Sequence, residues 1–211
     1  GLFSSQEEID AWPVQSWGEV HPGDIKYLDL NGDGIVSPDD RKPIGYPNVP
    51  EITYGFGASV KWKGFDLSVF FQGVGNVNFF ANNTYTQPFT ANSVSLSNVF
   101  TDLIGNYWSE NNPDANAKYP RLTTSANPNN SRQSTFWMVN GRYMRLKNAE
   151  IGYSLPKKVV NKLRIDGLRV YISGMNLLTF SDFKLWDPDL QTGAANYPNN
   201  RVYNIGVSLI F

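Results

Sequence analysis

Twelve residues, DLNGDGIVSPDD from Asp29 to Asp40, set hard oxygen donors at calcium-loop spacing. Counted from Asp29 as the first position, Asn31 is third, Asp33 fifth, Gly34 sixth, Ile35 seventh and Asp40 twelfth. Calcium takes about six to eight oxygens, and this spacing wraps side-chain oxygens and the Ile35 carbonyl around one point. Gly34 permits the sharp turn, and Ser37 at the ninth position can bind directly or through water. Two features depart from the calcium-loop pattern: an Asp closes the loop in place of Glu, and Pro38 and Pro43 crowd the exit where a helix would follow. A metal-free turn built on Asp33-Gly34 therefore stays open as a second reading. In the first reading Ca2+ is structural, since the ligands nearly fill its coordination sphere.

A second group is aromatic. Tyr85, Tyr107, Trp108, Trp137 and Trp186 fall in polar segments rich in Asn, Ser and Pro. Aromatic planes stack on the apolar faces of sugar rings, which makes these residues substrate-contact candidates. The alternative is that they pin loops together or form an interfacial girdle. Catalysis has little to stand on. His21 is the single histidine and lies in an irregular stretch beside Pro22. There is no cysteine, so neither a disulfide framework nor a thiolate metal site is possible. Asp187-Pro188-Asp189 reads as a turn, and no Gly-rich phosphate loop follows a strand. An enzyme is not expected. Lys+Arg total 18 against 19 for Asp+Glu, a balance that gives no reason to expect nucleic acid as a partner.

The elements that position these groups are strands. Residues 1–51 are broken by six prolines and predict a loop region. The period then becomes two. In ITYGFGASVKW, residues 52–62, Ile52, Tyr54, Phe56, Ala58, Val60 and Trp62 share one face. Lys63-Gly64 is a tight-turn pair, and the apolar alternation resumes through Phe65, Leu67, Val69 and Phe71, giving a hairpin with a second strand over 64–73. Residues 74–141 predict a long loop with a short helix near Val99, Leu103 and Trp108. A third strand spans 142–155. Its two halves have opposite parity, so either a bulge lies near Asn148 or the faces exchange. Asn140-Gly141 could also be a hairpin turn adding a strand. After one helical turn in PKKVVNKLRIDG come a fourth strand over 167–180, a loop over 181–200 and a fifth strand over 201–211.

The fold class is all-β. Strands of about ten residues joined by alternately short and long connections are the pattern of an outer-membrane barrel. Their polar faces carry Gly, Ser, Asn and Lys, which suit a wet lumen. No run of apolar residues is long enough for a transmembrane helix, which leaves a barrel untouched. Five strands cannot close a useful barrel, because small single-chain barrels need about eight. The remaining strands are therefore expected upstream in one longer polypeptide. With the last strand ending on the periplasmic side, segments 1–51, 74–141 and 181–200 become extracellular. The rival reading is a secreted, calcium-stabilised β-sandwich that binds carbohydrate.

Several motifs together resemble a known family. GDIKYLDLNGDGIVSPDDRKPIGYPNVPEITYGFGASVKWKGFDLSVFFQGVGN, YMRLKNAEIGYSLP, LRVYISGMNLLTF followed by WDPDL, and RVYNIGVSLIF occur in that order. They resemble the C-terminal region of SusC/RagA-type TonB-dependent outer-membrane transporters, over nearly the whole chain. The resemblance implies a large antiparallel transmembrane barrel of about 22 strands, filled by an N-terminal plug and capped by a SusD-like surface lipoprotein. It implies import of oligosaccharides or peptides across the outer membrane of a Gram-negative bacterium, energised through the TonB complex by regions upstream of this chain. It also gives the last strand a role: Tyr203, Ile205, Val207, Leu209 and Phe211 resemble the terminal signal read by the barrel assembly machinery.

Overall fold

The computed structural model describes residues 1–83, 85–89, 99–192 and 196–211. Two compact units share the chain: residues 1–45, 79–139 and 191–194 form one, and 46–78, 140–190 and 195–211 the other. They are called here the loop unit and the strand unit.

The strand unit is built on one five-stranded antiparallel sheet: β3 (Ile52–Trp62), β4 (Phe65–Gly75), β7 (Tyr143–Ser154), β8 (Gly167–Ser181) and β9 (Val202–Ile210), neighbours in that order. The expected strand over 52–62 has those bounds, and the other four agree to within two residues at each end. The strand over 64–73 starts one residue late because Gly64 belongs to the turn. Lys63 and Gly64 both have positive φ, 48° and 91°, as a two-residue hairpin requires, and Trp62 pairs directly with Phe65.

The parity conflict in β7 resolves as a bulge. Phe70 pairs with Asn148 and Phe71 with Leu146, leaving Lys147 without an opposite residue. That extra residue puts Met144 and Leu146 on the same face as Ala149, Ile151 and Tyr153. β8 carries a matching irregularity at Asn176, whose φ is 53°. Asn140-Gly141 makes no hairpin. Neither residue has positive φ, and β6 (Met138–Asn140) pairs instead with β5 (Asn78–Phe80), far away in sequence. Between β7 and β8 runs the expected helical turn, α2 (Lys157–Val160), continued by a 3-10 turn and stopped where Arg164 turns left-handed.

The loop unit holds little regular structure. α1 (Gln6–Asp10) is a short helix that the reading of 1–51 as wholly irregular misses. Ser5 caps it by accepting from the Glu8 N–H, while the Glu8 carboxylate reaches back to the Ser4 N–H at 2.8 Å. β1 (Val14–Gln15) and β2 (Ile35–Val36) form a two-residue parallel ladder that joins the Asp29–Asp40 loop to the segment after α1. The helix expected around Val99–Trp108 shrinks to a 3-10 turn over Thr101–Leu103, and the start of that segment, Ser97 and Asn98, lies outside the described residues. Leu2, Ile25, Leu103, Trp108, Ala117, Tyr119 and Trp137 pack into one apolar cluster.

Candidate functional site

Register places every large apolar side chain of the alternating pattern on one face of the sheet. Rows such as Val60, Leu67, Ile151, Ile172 and Ile205 run across all five strands. Phe56 stacks on Phe71 with centroids 5.2 Å apart, and Phe65 meets Tyr153 at 4.5 Å. These residues are open: Val60 is 62% exposed and Ile205 79%. A β-sandwich would bury such a face against a second sheet. This face instead offers a continuous apolar surface, far beyond the isolated exposed residues of an ordinary globule. Each strand has 9 to 15 residues, enough to cross a bilayer when tilted.

The opposite face is polar and partly stripped of side chains. Arg169 on β8 donates to Asp66 on β4 and to Glu150 on β7, the latter at 2.7 Å, so one guanidinium ties three strands. Gly152 lies beneath it, where a Cβ would overlap the guanidinium. Tyr171 lies flat over Gly206 in the same way. Charged side chains sit here among serines, asparagines and glycines, which fits a water-filled interior. At one end of β7, Arg145 is 2% exposed and donates to Asp187, while the Tyr143 hydroxyl donates to Asp189 at 2.8 Å. The WDPDL segment is thereby fastened to the strand. Within it, the Asp189 N–H donates to the Asp187 carboxylate at 3.0 Å, the turn expected from the sequence.

In the loop unit, a buried carboxylate organises the chain. Asp24 accepts from Arg121 Nε at 2.7 Å, Asn130 Nδ2 at 2.8 Å, Asn127 Nδ2 at 3.0 Å and the His21 N–H at 2.9 Å. Asn129 and Gln15 extend the network to the Ile25 carbonyl. Tyr27 donates to the Asn129 carbonyl at 2.7 Å, and burial pushes its phenol up, well above the usual range.

The Asp29–Asp40 loop is wound around its own backbone. Asp29 accepts from the N–H groups of Gly32 and Gly34, and Asp33 from that of Ile35. Asp40 closes it, accepting from Leu30, Asn31 and Ser37; the Ser37 N–H first, then that of Leu30, holds its carboxyl below the usual range. Asn31 bonds to Asp33 at 2.9 Å. Among the described residues no three His, Asp or Glu side chains converge to hold a metal, so a cation would also draw on Asn31, Ser37 and the Ile35 carbonyl. Donor chemistry still fits. Each oxygen of Asp29 accepts one N–H and keeps a second lone pair.

No family model matches the chain. Curated relatives do. It is 32% identical over 209 residues to TonB-dependent receptor P3 of Formosa agariphila, covering 92% of this chain and 20% of the relative. It is also 32% identical over 232 residues to TonB-dependent receptor P26 of the same organism, covering 100% of this chain and 22% of the relative. Among solved structures, the RagAB peptide transporter aligns with TM-score 0.65 and 30% identity, over 83% of this chain and 19% of that one. The RagAB peptide importer in its open-open state aligns with TM-score 0.63 and 29% identity, over the same shares. The chain is homologous to a segment of TonB-dependent receptors and shares the fold of the matching part of RagAB. This makes it part of an outer-membrane protein of a Gram-negative bacterium, and it spans about a fifth of the length of the relatives it matches.

In this receptor segment the candidate aromatics divide. Trp108 and Trp137 lie in the loop-unit core, and the Trp137 Nε1 donates to the Asn130 carbonyl at 2.7 Å. Their rings serve packing rather than a mouth. Tyr85, Tyr107 and Trp186 are half-buried; Tyr85 leans on Phe100 and Trp186 on Phe183. His21 pairs with Glu19 at 3.7 Å. Tyr203, Ile205, Val207, Leu209 and Phe211 line one face of the last strand and its end, all exposed. Sequence reasoning missed Asp24, Arg145 and the Arg169 cluster. Only the last left a signal: Asp66, Glu150 and Arg169 are charges on the polar parity of otherwise apolar strands.

Proposed function

We propose that this chain forms strands and extracellular loops of a TonB-dependent importer of peptides or oligosaccharides. The open apolar face running through five strands supports this best, because lipid is the surrounding that makes it favourable. The full barrel has about 22 strands, with the polar face turned to the lumen. The turn at Lys63-Gly64 and the connection containing α2 lie on the periplasmic side. Residues 1–51, 74–141 and 181–200 lie outside the cell, where a SusD-like surface lipoprotein closes over them. Energy comes from the TonB complex through other parts of the polypeptide. β9 and Phe211 present the signal read by the barrel assembly machinery, and Ca2+ braces the Asp29–Asp40 loop as a structural ion.

The full-length receptor supplies the test. Extracted in detergent, it should run faster on gels before heating than after, and cells lacking its gene should fail to take up its cargo. A receptor that stays in the soluble fraction, folded and unshifted by heat, would contradict the proposal.

A further inference from the structure

Within the loop unit, a cleft of about 730 Å³ opens beside Trp17, a size suited to a small ligand. Arg132 lies over the Trp17 indole at 5.3 Å from the ring centroid. The indole Nε1 and the guanidinium Nε are both buried donors with no acceptor among the described residues. Natural interiors rarely leave such groups unmade, so two in contact call for an explanation. Arg41 and Lys42 add positive charge to the lining, and neither forms an ion pair among the described residues. The one acid of the lining, Asp40, has both oxygens engaged by backbone N–H groups. Leu28, Leu30 and Ile44 form an apolar wall.

We infer that this cleft binds a carboxylate carried beside an apolar side chain, the chemistry of an acidic peptide. The inference rests on the importer reading and narrows its cargo. Arginine pairs edge-on with a planar carboxylate through Nε–H and Nη–H together. Among the described residues, the Arg132 guanidinium has a stacking partner and no ion pair to give up when it turns that edge to a ligand. A neutral sugar brings no charge for the three cations and leaves the leucine and isoleucine wall unfilled.

The probes are a short peptide of alternating leucine and glutamate, its leucine–glutamine counterpart and tetragalacturonate, each titrated into full-length receptor in detergent. The acidic peptide should bind about tenfold or more tightly than the neutral one, and less so as salt rises. Arg132→Gln and, separately, the rim variant Arg41→Gln with Lys42→Gln should each lose that preference. Arg132→Lys, which keeps the charge without the planar fork, should lose part of it. The exposed rim variant guards against a misfolded Arg132 variant, and heat-shifted gel mobility confirms assembly of each. Equal affinity for both peptides, tighter binding of tetragalacturonate, or a preference unchanged in both variants would overturn the assignment. Receptor-dependent uptake by cells is scored apart: its absence defeats the importer reading, whereas the peptide preference of the purified receptor decides the cleft.

Discussion

Asp24 has no exposed surface and accepts five hydrogen bonds, two of them from Arg121. Removing Asp24 takes away all five bonds at once and leaves the partly exposed Arg121 guanidinium and the amides of Asn127 and Asn130 without their acceptor. Asp24→Ala should therefore loosen the loop unit while the barrel still assembles. Limited proteolysis of the full receptor is expected to cut within residues 119–137 in the variant and not in the parent. Glu8 gives a pH prediction. The Lys26 ammonium at 2.5 Å, helped by the Ser4 N–H and hydroxyl, holds the Glu8 carboxyl at about 2, against an ordinary 4.5. A depressed carboxylate stabilises fully above its ordinary value and loses that contribution as pH falls from 4.5 towards 2. Protection against hydrogen exchange over residues 2–27, taken relative to the intrinsic rate at each pH, should fall across that window in the parent. In Glu8→Gln this protection should be lower at neutral pH and nearly flat below.

At the scale of elements, the strands were largely legible because a two-residue period is a local signal that lipid on one side and water on the other enforce along the whole strand. The bulge was half legible. The parity conflict between Leu146 and Ile151 could be seen, but choosing a bulge over exchanged faces needs the partner strand, where Lys147 has no opposite. Deleting Lys147 should leave Leu146 and Ala149 two positions apart with both halves of β7 still on one face, so the heat-shifted band should survive the deletion as it survives Lys147→Ala. Asn140-Gly141 misled for a related reason: β6 takes its hydrogen bonds from β5, a distant choice that a dipeptide cannot reveal. The Asp24 network was not legible, since Asn127, Asn129 and Asn130 look like any polar loop until the fold gathers them. For the Asp29–Asp40 loop, chelator treatment and Asp33→Ala should each lower the receptor's thermal resistance to proteolysis near residue 35. Together they should lower it no further than either alone.

On the scale of the whole molecule, the exposed apolar face commits the chain to a bilayer. Val207 lies within that face, paired with Val170. Val207→Arg should cost about 2–4 kcal/mol if the site is near the midplane and deplete the receptor from outer-membrane fractions. Asn204→Arg, on the polar parity of the same strand and opposite Ser173, should assemble normally. The Asp24 network also imposes an order in time. It joins residues 15–27 to residues 119–137, and the β3–β4 hairpin lies between them in the chain. The loop unit cannot finish folding while the chain has delivered only its first half. Its closing contacts wait until residues 119–137 have arrived. Completion of the loop unit is thus a late event, and a receptor stalled during insertion would betray itself by an unlatched Asp24.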